Sequence, residues 1–277
     1  MPLRARRAWL ATAALGALGL GYVGWNLHPP DVIVVQTHTL STPLWSGPPV
    51  RVALLADLHL SSEDDLERLA TIGQQVRAQR PDLVLLAGDY AGDPTFLQRQ
   101  GHHELVEALA ETLAPVAPTL AVLGNHDNWH SPEDWRRAFA ASPIQLVEGA
   151  VVEVDVPGGV VCVRGLGDAF SGAWAPVAIP DHCAGHTLTL THDPSGLLHE
   201  GTLETIGLAG HTHCGEVRLP LIGAPWTPTD APFDMHCGPF ERIYPGLTSG
   251  GLGTSIAPVR FGLGTAPRWE LLTVRSS

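Results

Sequence analysis

The chain has 277 residues, with 16 basic residues against 28 acidic ones, which gives a formal net charge of −12. No lysine is present, and this acidic balance argues against a nucleic-acid-binding surface, so no nucleic acid is expected as a partner. The length suffices for one large α/β domain with a substantial core, preceded by a distinct N-terminal segment.

The N-terminal segment combines basic residues with a long apolar stretch. Arg4, Arg6 and Arg7 precede residues 8–25, which carry no charge and approach the ~20 residues needed to cross a bilayer. Basic residues before such a stretch predict an N-terminus in the cytoplasm and the main part of the chain outside. Residues 6–10 are similar to a twin-arginine export signal. Because no Ala-x-Ala site follows, an uncleaved anchor is favoured over a cleaved signal.

These features predict three segments. Residues 1–28 form a signal-anchor or transmembrane segment, and residues 29–47 form a tether with a first edge strand near residues 32–39. Residues 48–277 form the main globular domain. This domain is expected on the extracytoplasmic side of a bacterial cytoplasmic membrane.

Short apolar runs predict strands that are buried on both faces. They occupy residues 52–56, 82–87, 119–123, 187–191 and 205–209. Helices are predicted between them, over residues 64–79 and 103–113, and a third begins with a cap and a proline at Ser131-Pro132. Alternating strands and helices favour an α/β layered domain.

Side chains that bind metals follow each of these strands. They are Asp57 and His59, Asp89, Asn125 and His126, His192, and His211 and His213. In a parallel sheet the carboxyl ends of the strands meet at one edge, so these loops are expected to converge. Carboxylate, amide oxygen and imidazole groups can hold two divalent ions about 3.5 to 4 Å apart, which clamp both oxygens of a phosphoryl displacement.

In this order the motifs resemble the calcineurin-like metallophosphoesterase superfamily, whose signature is D-x-H, G-D, G-N-H-D/E, H and G-H-x-H. The five blocks lie between Asp57 and His213, and the likeness extends over residues 48–274. The tail, with residues 251–254 and 258–261, is similar to that of the membrane-anchored or twin-arginine-exported bacterial branch. The resemblance implies a four-layer fold, with two facing β-sheets flanked by helices.

The resemblance also implies a role for each ligand. Asp57, His59 and His213 would hold one metal, Asn125, His192 and His211 the other, and Asp89 would bridge both. Mixed nitrogen and oxygen ligands accept Mn, Fe, Zn, Co or Ni, so the identity of the two divalent ions stays open.

The predicted reaction is hydrolysis of a phosphodiester or phosphomonoester bond in a phosphorylated small molecule or lipid. Water shared by two cations loses its proton near neutral pH and attacks in line as metal-bound hydroxide, since even one zinc ion lowers the pKa of bound water to about 7. His126 follows a ligand directly and as imidazolium could donate a proton to the leaving group, with Asp127 as the carboxylate that orients it. The resemblance gives His126 the same role.

The remaining histidines are interpreted as surface or core residues, with His130 and His236 as the strongest exceptions; neither receives a role. The four cysteines, Cys162, Cys183, Cys214 and Cys237, form no C-x-x-C pair, and sequence cannot choose among three pairings. Cys214 stands where the resembling branch has Gly. A small buried residue is favoured there over a metal-binding thiol.

Two alternatives remain beside this hypothesis. One is a lipid-directed pyrophosphatase that acts on nucleotide-linked lipid precursors, for which the membrane segment gives weak support. An outward-facing site would not meet such cytoplasmic substrates. The other is a catalytically silent metal-binding scaffold, which the complete set of ligands disfavours.

Overall fold

A computed structural model describes residues 27–28, 32–199, 205–242, 244–255 and 259–277. The predicted membrane segment, apart from Leu27 and His28, lies outside these ranges. Within them, no helix combines the length and the apolar composition that a bilayer crossing requires.

The described strands and helices alternate over the first half of the chain, while strands dominate the second half. The strands are β1 (Leu27–His28), β2 (Val34–Ser41), β3 (Val50–Leu55), β4 (Leu83–Leu86), β5 (Thr119–Ala121), β6 (Gln145–Leu146), β7 (Ala150–Val156), β8 (Gly159–Gly165), β9 (Gly167–Asp168), β10 (Ala173–Trp174), β11 (Thr187–Leu190), β12 (Ile206–Ala209), β13 (Gly238–Glu241), β14 (Pro245–Thr248), β15 (Arg260–Phe261) and β16 (Arg268–Arg275). The α-helices are α1 (Glu63–Gln79), α2 (Pro94–Gln100), α3 (His102–Leu113), α4 (Asn125–Trp129) and α5 (Pro132–Ala140).

Two mixed six-stranded sheets form the body of the domain. Sheet I has the order β2-β16-β3-β4-β5-β6, and sheet II the order β13-β14-β12-β11-β8-β7. In sheet I, β3, β4, β5 and β6 are parallel, and β16 runs antiparallel to β3. In sheet II, β8, β11, β12 and β14 are parallel. β2 lies at an edge, in the region where a first edge strand is predicted.

The main core lies between the two facing sheets. Val52, Leu54 and Leu85 of sheet I pack in one cluster with Val163 and Leu188 of sheet II, and each of these side chains is fully buried. Both faces of the central strands are buried, which explains why their sequences are continuously apolar rather than alternating.

A second core lies between sheet I and the helices. In α1, Leu69, Ile72 and Val76 recur at helical spacing and are buried against this sheet. The helix begins at Ser62, whose side chain accepts a hydrogen bond from the Asp65 N–H, and it ends before Pro81. The predicted helix over residues 64–79 is thus confirmed to within one residue.

The expectation of helices on both outer faces is wrong in one respect. In the described residues, sheet II is covered by short 3₁₀ turns, Pro194–Leu198 and Phe233–Met235, rather than by α-helices. Leu197, Met235 and Phe240 form the small apolar cluster on this face. The segment around 194 contains Pro and Gly, which disfavour a longer helix.

Candidate metal centre

All the predicted ligands lie beyond the carboxyl ends of strands in the two sheets. Asp57 and His59 follow β3, Asp89 follows β4, and Asn125 begins α4 after β5; in sheet II, His192 follows β11, and His211 and His213 follow β12. Because the sheets face each other with these edges on the same side, the five loops meet there. The convergence that the sequence predicts is present in the structure.

The first cluster consists of Asp57, His59 and His213, whose ligand atoms lie within 4.8 Å of one another. The two Nε2 atoms of His59 and His213 are 3.2 Å apart. The His213 Nε2 atom lies 3.6 Å from an Asp57 carboxylate oxygen. The Nδ1 atom of His59 is buried without a hydrogen-bond partner among the described residues.

The second cluster consists of Asp89, His192 and His211, again within 4.8 Å, and Asn125 adjoins it. The His192 Nε2 atom lies 3.0 Å from the Asn125 side-chain oxygen and 3.1 Å from the His211 Nδ1 atom. The same Nε2 atom is 3.4 Å from the Oδ2 atom of Asp89.

Asp89 joins the two clusters through one oxygen. Its Oδ2 atom is 3.4 Å from the His192 Nε2 atom and 3.5 Å from the His59 Nε2 atom. Its other oxygen accepts a hydrogen bond of 2.9 Å from the His126 backbone N–H. The carboxylate is therefore fixed between the clusters, where it would contribute to holding both ions.

The outer hydrogen bonds of the second cluster fit a cation. The His192 Nδ1 atom lies 2.6 Å from the Ala87 carbonyl oxygen, and the His211 Nε2 atom bonds the Pro228 carbonyl oxygen. Carbonyl oxygens only accept, so these nitrogens carry the protons, and in the neutral rings the lone pairs of the other two nitrogens face each other. A divalent cation between them would satisfy both, and carbonyl partners of this kind orient metal-binding histidines.

Burial shifts the pKa values of the side chains in the first cluster. It lowers the pKa of His59 to about 3 and that of His213 well below its ordinary value, with the Arg260 charge adding to the effect at His213. Both rings are therefore neutral at physiological pH, the form that binds metals. Burial also raises the pKa of Asp57 to about 7. A bound cation would favour its carboxylate form.

A family model described as calcineurin-like phosphoesterase matches residues 50–215, a span that contains every predicted ligand. The chain belongs to this family. Phosphodiesterase YaeI of Escherichia coli K12 is 28% identical over 81% of this chain and 83% of its own. Metallophosphoesterase YkuE of Bacillus subtilis is 26% identical over 91% and 89%. The solved calcineurin-like phosphoesterase YfkN of Bacillus subtilis is 14% identical, with a TM-score of 0.46 over 74% of this chain and 83% of that one.

As a calcineurin-like phosphoesterase, the protein is a metal-dependent phosphohydrolase, and its family depends on two metal ions. The side chains of both clusters fit this chemistry, because mixed imidazole, carboxylate and amide donors suit divalent transition metals. All seven predicted ligands, Asp57, His59, Asp89, Asn125, His192, His211 and His213, are brought together.

Several candidate ligands of this phosphoesterase have an unusual backbone. Asp57, His59, Asp89, His211 and His213 all have positive φ angles, between 45° and 68°. Residues other than glycine adopt this left-handed backbone region at an energetic cost, and residues strained in this way concentrate at functional sites. The chain therefore tolerates local backbone strain to direct these ligands toward one point.

His126 lines the cleft above the clusters. Its ring lies edge-on to the His59 ring, with a centroid separation of 4.8 Å, and 5.4 Å from the Trp129 ring. The cleft has a volume of about 200 Å³ and is lined by Asp89, Asn125, His126, Trp129, Phe170, His211, His213, Trp226, Pro228 and Ser255. His126 can thus reach a group bound over both clusters.

The hydrogen bonds of Asp127 differ from the expectation that its carboxylate orients His126. The buried carboxylate accepts hydrogen bonds from the backbone N–H groups of Asp89, Tyr90 and Gly124, at 2.8, 3.0 and 2.8 Å. Neighbouring residues in a helical turn do not face each other, so Asp127 points away from the His126 ring. Its position ties the Asp89 loop to the Asn125 loop.

These two loops meet through glycines. A Cβ atom added at Gly88, whose φ is +91°, would lie 2.4 Å from the Gly124 backbone nitrogen. A Cβ added at Gly124 would lie equally close to the Asp89 carboxylate. The glycines of the G-D and G-N-H motifs therefore allow a backbone approach that no other residue permits.

Replacing Gly88 by Ala should destabilise the protein strongly. We expect a loss of roughly 1–2 kcal/mol from the left-handed backbone and another ~1–3 kcal/mol from overpacking against Gly124. Gly172→Ala is the matched control, because Gly172 also has a positive φ but nothing within 4 Å of an added Cβ. Urea unfolding should separate the two variants; equal losses would contradict the close approach.

Arg260 was not predicted as a site residue, yet it supports the first cluster. It is 1% exposed, and its Nη2 atom lies 2.9 Å from the His213 Nδ1 atom. Its guanidinium also donates to the carbonyl oxygens of Gly250 and Gly253, at 2.8 and 3.0 Å. The glycine-rich tail packs on the Asp57 loop, and the Gly253 N–H donates to the Asp57 carbonyl oxygen at 2.6 Å. An arginine far along the chain gave no local signal of this role.

The cysteines form two disulfides, Cys162–Cys183 and Cys214–Cys237. Cys214 is therefore not a metal-binding thiol. Its disulfide fixes the residue after His213 to the start of β13. Of the two other histidines named as exceptions, His236 has structural partners: its ring lies 2.7 Å from both the Thr227 hydroxyl and the Ala231 carbonyl oxygen.

Removing the two disulfides should have different consequences for metal binding. In both double Cys→Ser variants we expect the free energy of unfolding to fall by about 2–4 kcal/mol. Only the variant without Cys214–Cys237 should also bind metal more weakly, by roughly 10- to 100-fold, because this disulfide supports the His213 loop. Competition with a chelator measures the affinity, and an equal loss in the Cys162–Cys183 variant would contradict a local role.

Proposed function

We propose that this phosphoesterase hydrolyses phosphodiesters at the paired clusters. The main support for this proposal is that Asp89 lies between the two groups of candidate ligands and lines the same cleft as His126. When bound, two divalent ions would supply an activated water molecule and would offset the charge of the phosphate oxygens. The protein's own residues then bind the ester, orient it and protonate the leaving oxygen.

The lining of the cleft favours a diester over a monoester. Among the described residues that line it, none is an arginine that could offset the second negative charge of a monoester. Trp129, Phe170 and Trp226 instead provide an aromatic rim, and each is about half exposed, at 54%, 45% and 62%. A phosphodiester carries one charge and a second organic substituent, which such a rim can contact. The relative named a phosphodiesterase supports this reading.

His126 is positioned to act as the general acid. Its ring lies in the cleft. The hydrogen bond from the His126 backbone N–H to the Asp89 carboxylate fixes the start of its helical turn. In the protonated form it can donate a proton to the departing oxygen, which matters most for leaving groups that are poor as anions.

The direct test compares two substrates on metal-reconstituted protein. Full-length protein is stripped with a chelator and loaded with Mn, Fe, Zn, Co or Ni in turn. We expect bis(p-nitrophenyl) phosphate to be hydrolysed with a kcat/KM at least about tenfold above that for p-nitrophenyl phosphate, a difference of about 1.4 kcal/mol. A preference for the monoester would contradict the diester assignment. Stoichiometric metal binding without hydrolysis would favour the scaffold alternative.

We also propose that the enzyme works on the extracytoplasmic side of a bacterial membrane, held there by its N-terminal segment. The sequence of residues 4–25 supports this location, and so do two disulfides that use all four cysteines, because disulfides persist mainly in oxidising compartments. Reporter fusions at the C-terminus, active on only one side of the membrane, test it. Activity of the cytoplasmic reporter would reject this location.

A further inference from the structure

An exposed apolar ridge lies beside the metal cleft. It consists of Val217, Leu219, Leu221 and Ile222 in one hairpin, with Leu27, Val259 and Leu263 beside it. Leu221 is fully exposed, Leu263 is 78% exposed and Ile222 is 68% exposed. Isolated exposed apolar side chains need no explanation, but a contiguous group marks an interaction surface.

The hairpin holds these side chains outward. Leu219 and Gly223 exchange two backbone hydrogen bonds of 2.9 Å, so Pro220, Leu221 and Ile222 form a narrow tip. Leu221 has a φ of 66°, the left-handed region that bulky side chains avoid. A leucine that is both strained and fully exposed has no packing within the domain to offset the strain. This indicates that the tip contacts a surface outside the domain.

The ridge is joined to the chain's N-terminal side. The Arg218 N–H donates to the Phe261 carbonyl oxygen at 2.7 Å, and the Phe261 N–H donates to the Glu216 carbonyl oxygen at 2.8 Å. Leu27 pairs with Phe261 on the other side. In the sequence, Leu27 comes two residues after the uncharged stretch 8–25. The apolar hairpin and Leu27 therefore belong to one edge of the domain.

The ridge is also joined to the cleft. The hairpin begins shortly after His213 in the sequence and ends before Trp226, which lines the cleft. A Cβ at Gly215 would lie 2.3 Å from the Ala224 side chain, so the two arms of the hairpin pack closely. Beyond Trp226, the Pro228 carbonyl oxygen bonds the His211 ring. The hairpin is thus directly connected to residues that line the metal centre.

We infer that the apolar ridge docks on a lipid bilayer and presents the cleft to phosphate esters of lipids at its surface. The inference rests on the proposed phosphodiesterase activity and specifies its substrate class. Residues 219–229 carry no charge, which suits insertion among lipids. The three-residue tip is by itself much smaller than a stable protein interface, which buries about 800 Å² per partner. Trp226, between ridge and cleft, is of the residue type enriched at membrane interfaces.

A fluorescent probe at the tip tests the docking in the full-length protein. All native cysteines are in disulfides, so Leu221→Cys introduces a single thiol for an environment-sensitive dye. Ala141→Cys is the control, since Ala141 is exposed and precedes β6 at the opposite, amino edge of sheet I. With phosphatidylcholine vesicles that contain doxyl-labelled lipid, we expect quenching at position 221 and little at 141. If the dye is equally exposed to water at both positions, the docking proposal is overturned and a protein partner for the ridge is favoured.

A pair of substrates with the same scissile bond tests the lipid preference. Hexadecyl p-nitrophenyl phosphate in phosphatidylcholine vesicles is compared with methyl p-nitrophenyl phosphate in solution. The variant Leu221→Asn with Ile222→Gln retains a backbone suited to the tip, because Asn tolerates positive φ. We expect it to lose at least about tenfold in kcat/KM on the hexadecyl ester, a change of about 1.4 kcal/mol, and to keep its rate on the methyl ester.

The matched control is Ala140→Asn with Ala141→Gln, at two exposed positions far from the ridge; it should retain both activities. An unchanged rate of the ridge variant on the hexadecyl ester would overturn the lipid preference. Failure of the wild-type protein on both esters would instead reject the phosphodiesterase proposal, while the fluorescent probe would still report docking.

Discussion

Replacing Asp89 by Asn is expected to abolish turnover while leaving the fold intact. The Asp89 Oδ2 atom faces both clusters, and an amide removes the negative charge that two cations would share. The loss in kcat should exceed the roughly 10- to 100-fold that follows removal of an outer partner of a metal ligand. The Asn side-chain oxygen can still accept the hydrogen bond from the His126 N–H, so the loop should keep its shape.

Three measurements on the same variant separate these effects: kcat/KM on an aryl diester, bound metal per chain, and the midpoint of thermal unfolding. Asp155→Asn is the control, because it changes the same charge at an exposed position on β7. Full activity of the Asp89 variant would refute the bridging role. Lost activity together with a large fall in the unfolding midpoint would show that Asp89 acts through the fold instead.

The meeting of the candidate ligands could be predicted from sequence because its information is local. Each ligand follows a short apolar run, and parallel strands place the ends of such runs at one edge. His192 shows this well, since a lone histidine becomes interpretable once the strand before it is recognised. The order of the motifs then added the assignment of ligands to two metals.

The division of strands between the two sheets could not be predicted in the same way. The central strands β3 and β11 are similarly apolar, but they belong to different sheets. β16 is inserted between β2 and β3 and pairs with residues more than 200 positions earlier. Nothing in a local pattern specifies such a partner, because the pairing depends on which surfaces the whole chain buries.

The supporting residues were missed for a related reason. Asp127 was interpreted from its place beside His126 in the sequence, whereas its contacts follow from the direction of its side chain in a helical turn. Arg260 reaches His213 across 47 positions. The two disulfides were among the open pairings, and only the fold brings Cys214 and Cys237 together.

Replacing His126 by Ala should lower the rate on alkyl esters far more than on aryl esters. General acid catalysis contributes typically about 10²- to 10⁴-fold, and we expect a loss of this size with a methyl or alkyl leaving group. A p-nitrophenolate ion leaves without a proton, so its diester should lose much less. The His126 backbone N–H, which bonds Asp89, is retained in the variant, so the clusters should stay in place.

A series of diesters whose leaving groups differ in pKa measures this effect. In the His126 variant the logarithm of the rate should fall more steeply with leaving-group pKa than in the wild type, because the departing oxygen then carries its charge alone. His130→Ala is the control: its side chain is close in sequence but does not line the cleft, so its slope should match the wild type. Parallel slopes for the His126 variant and the wild type would mean that the ring orients the ester without donating a proton.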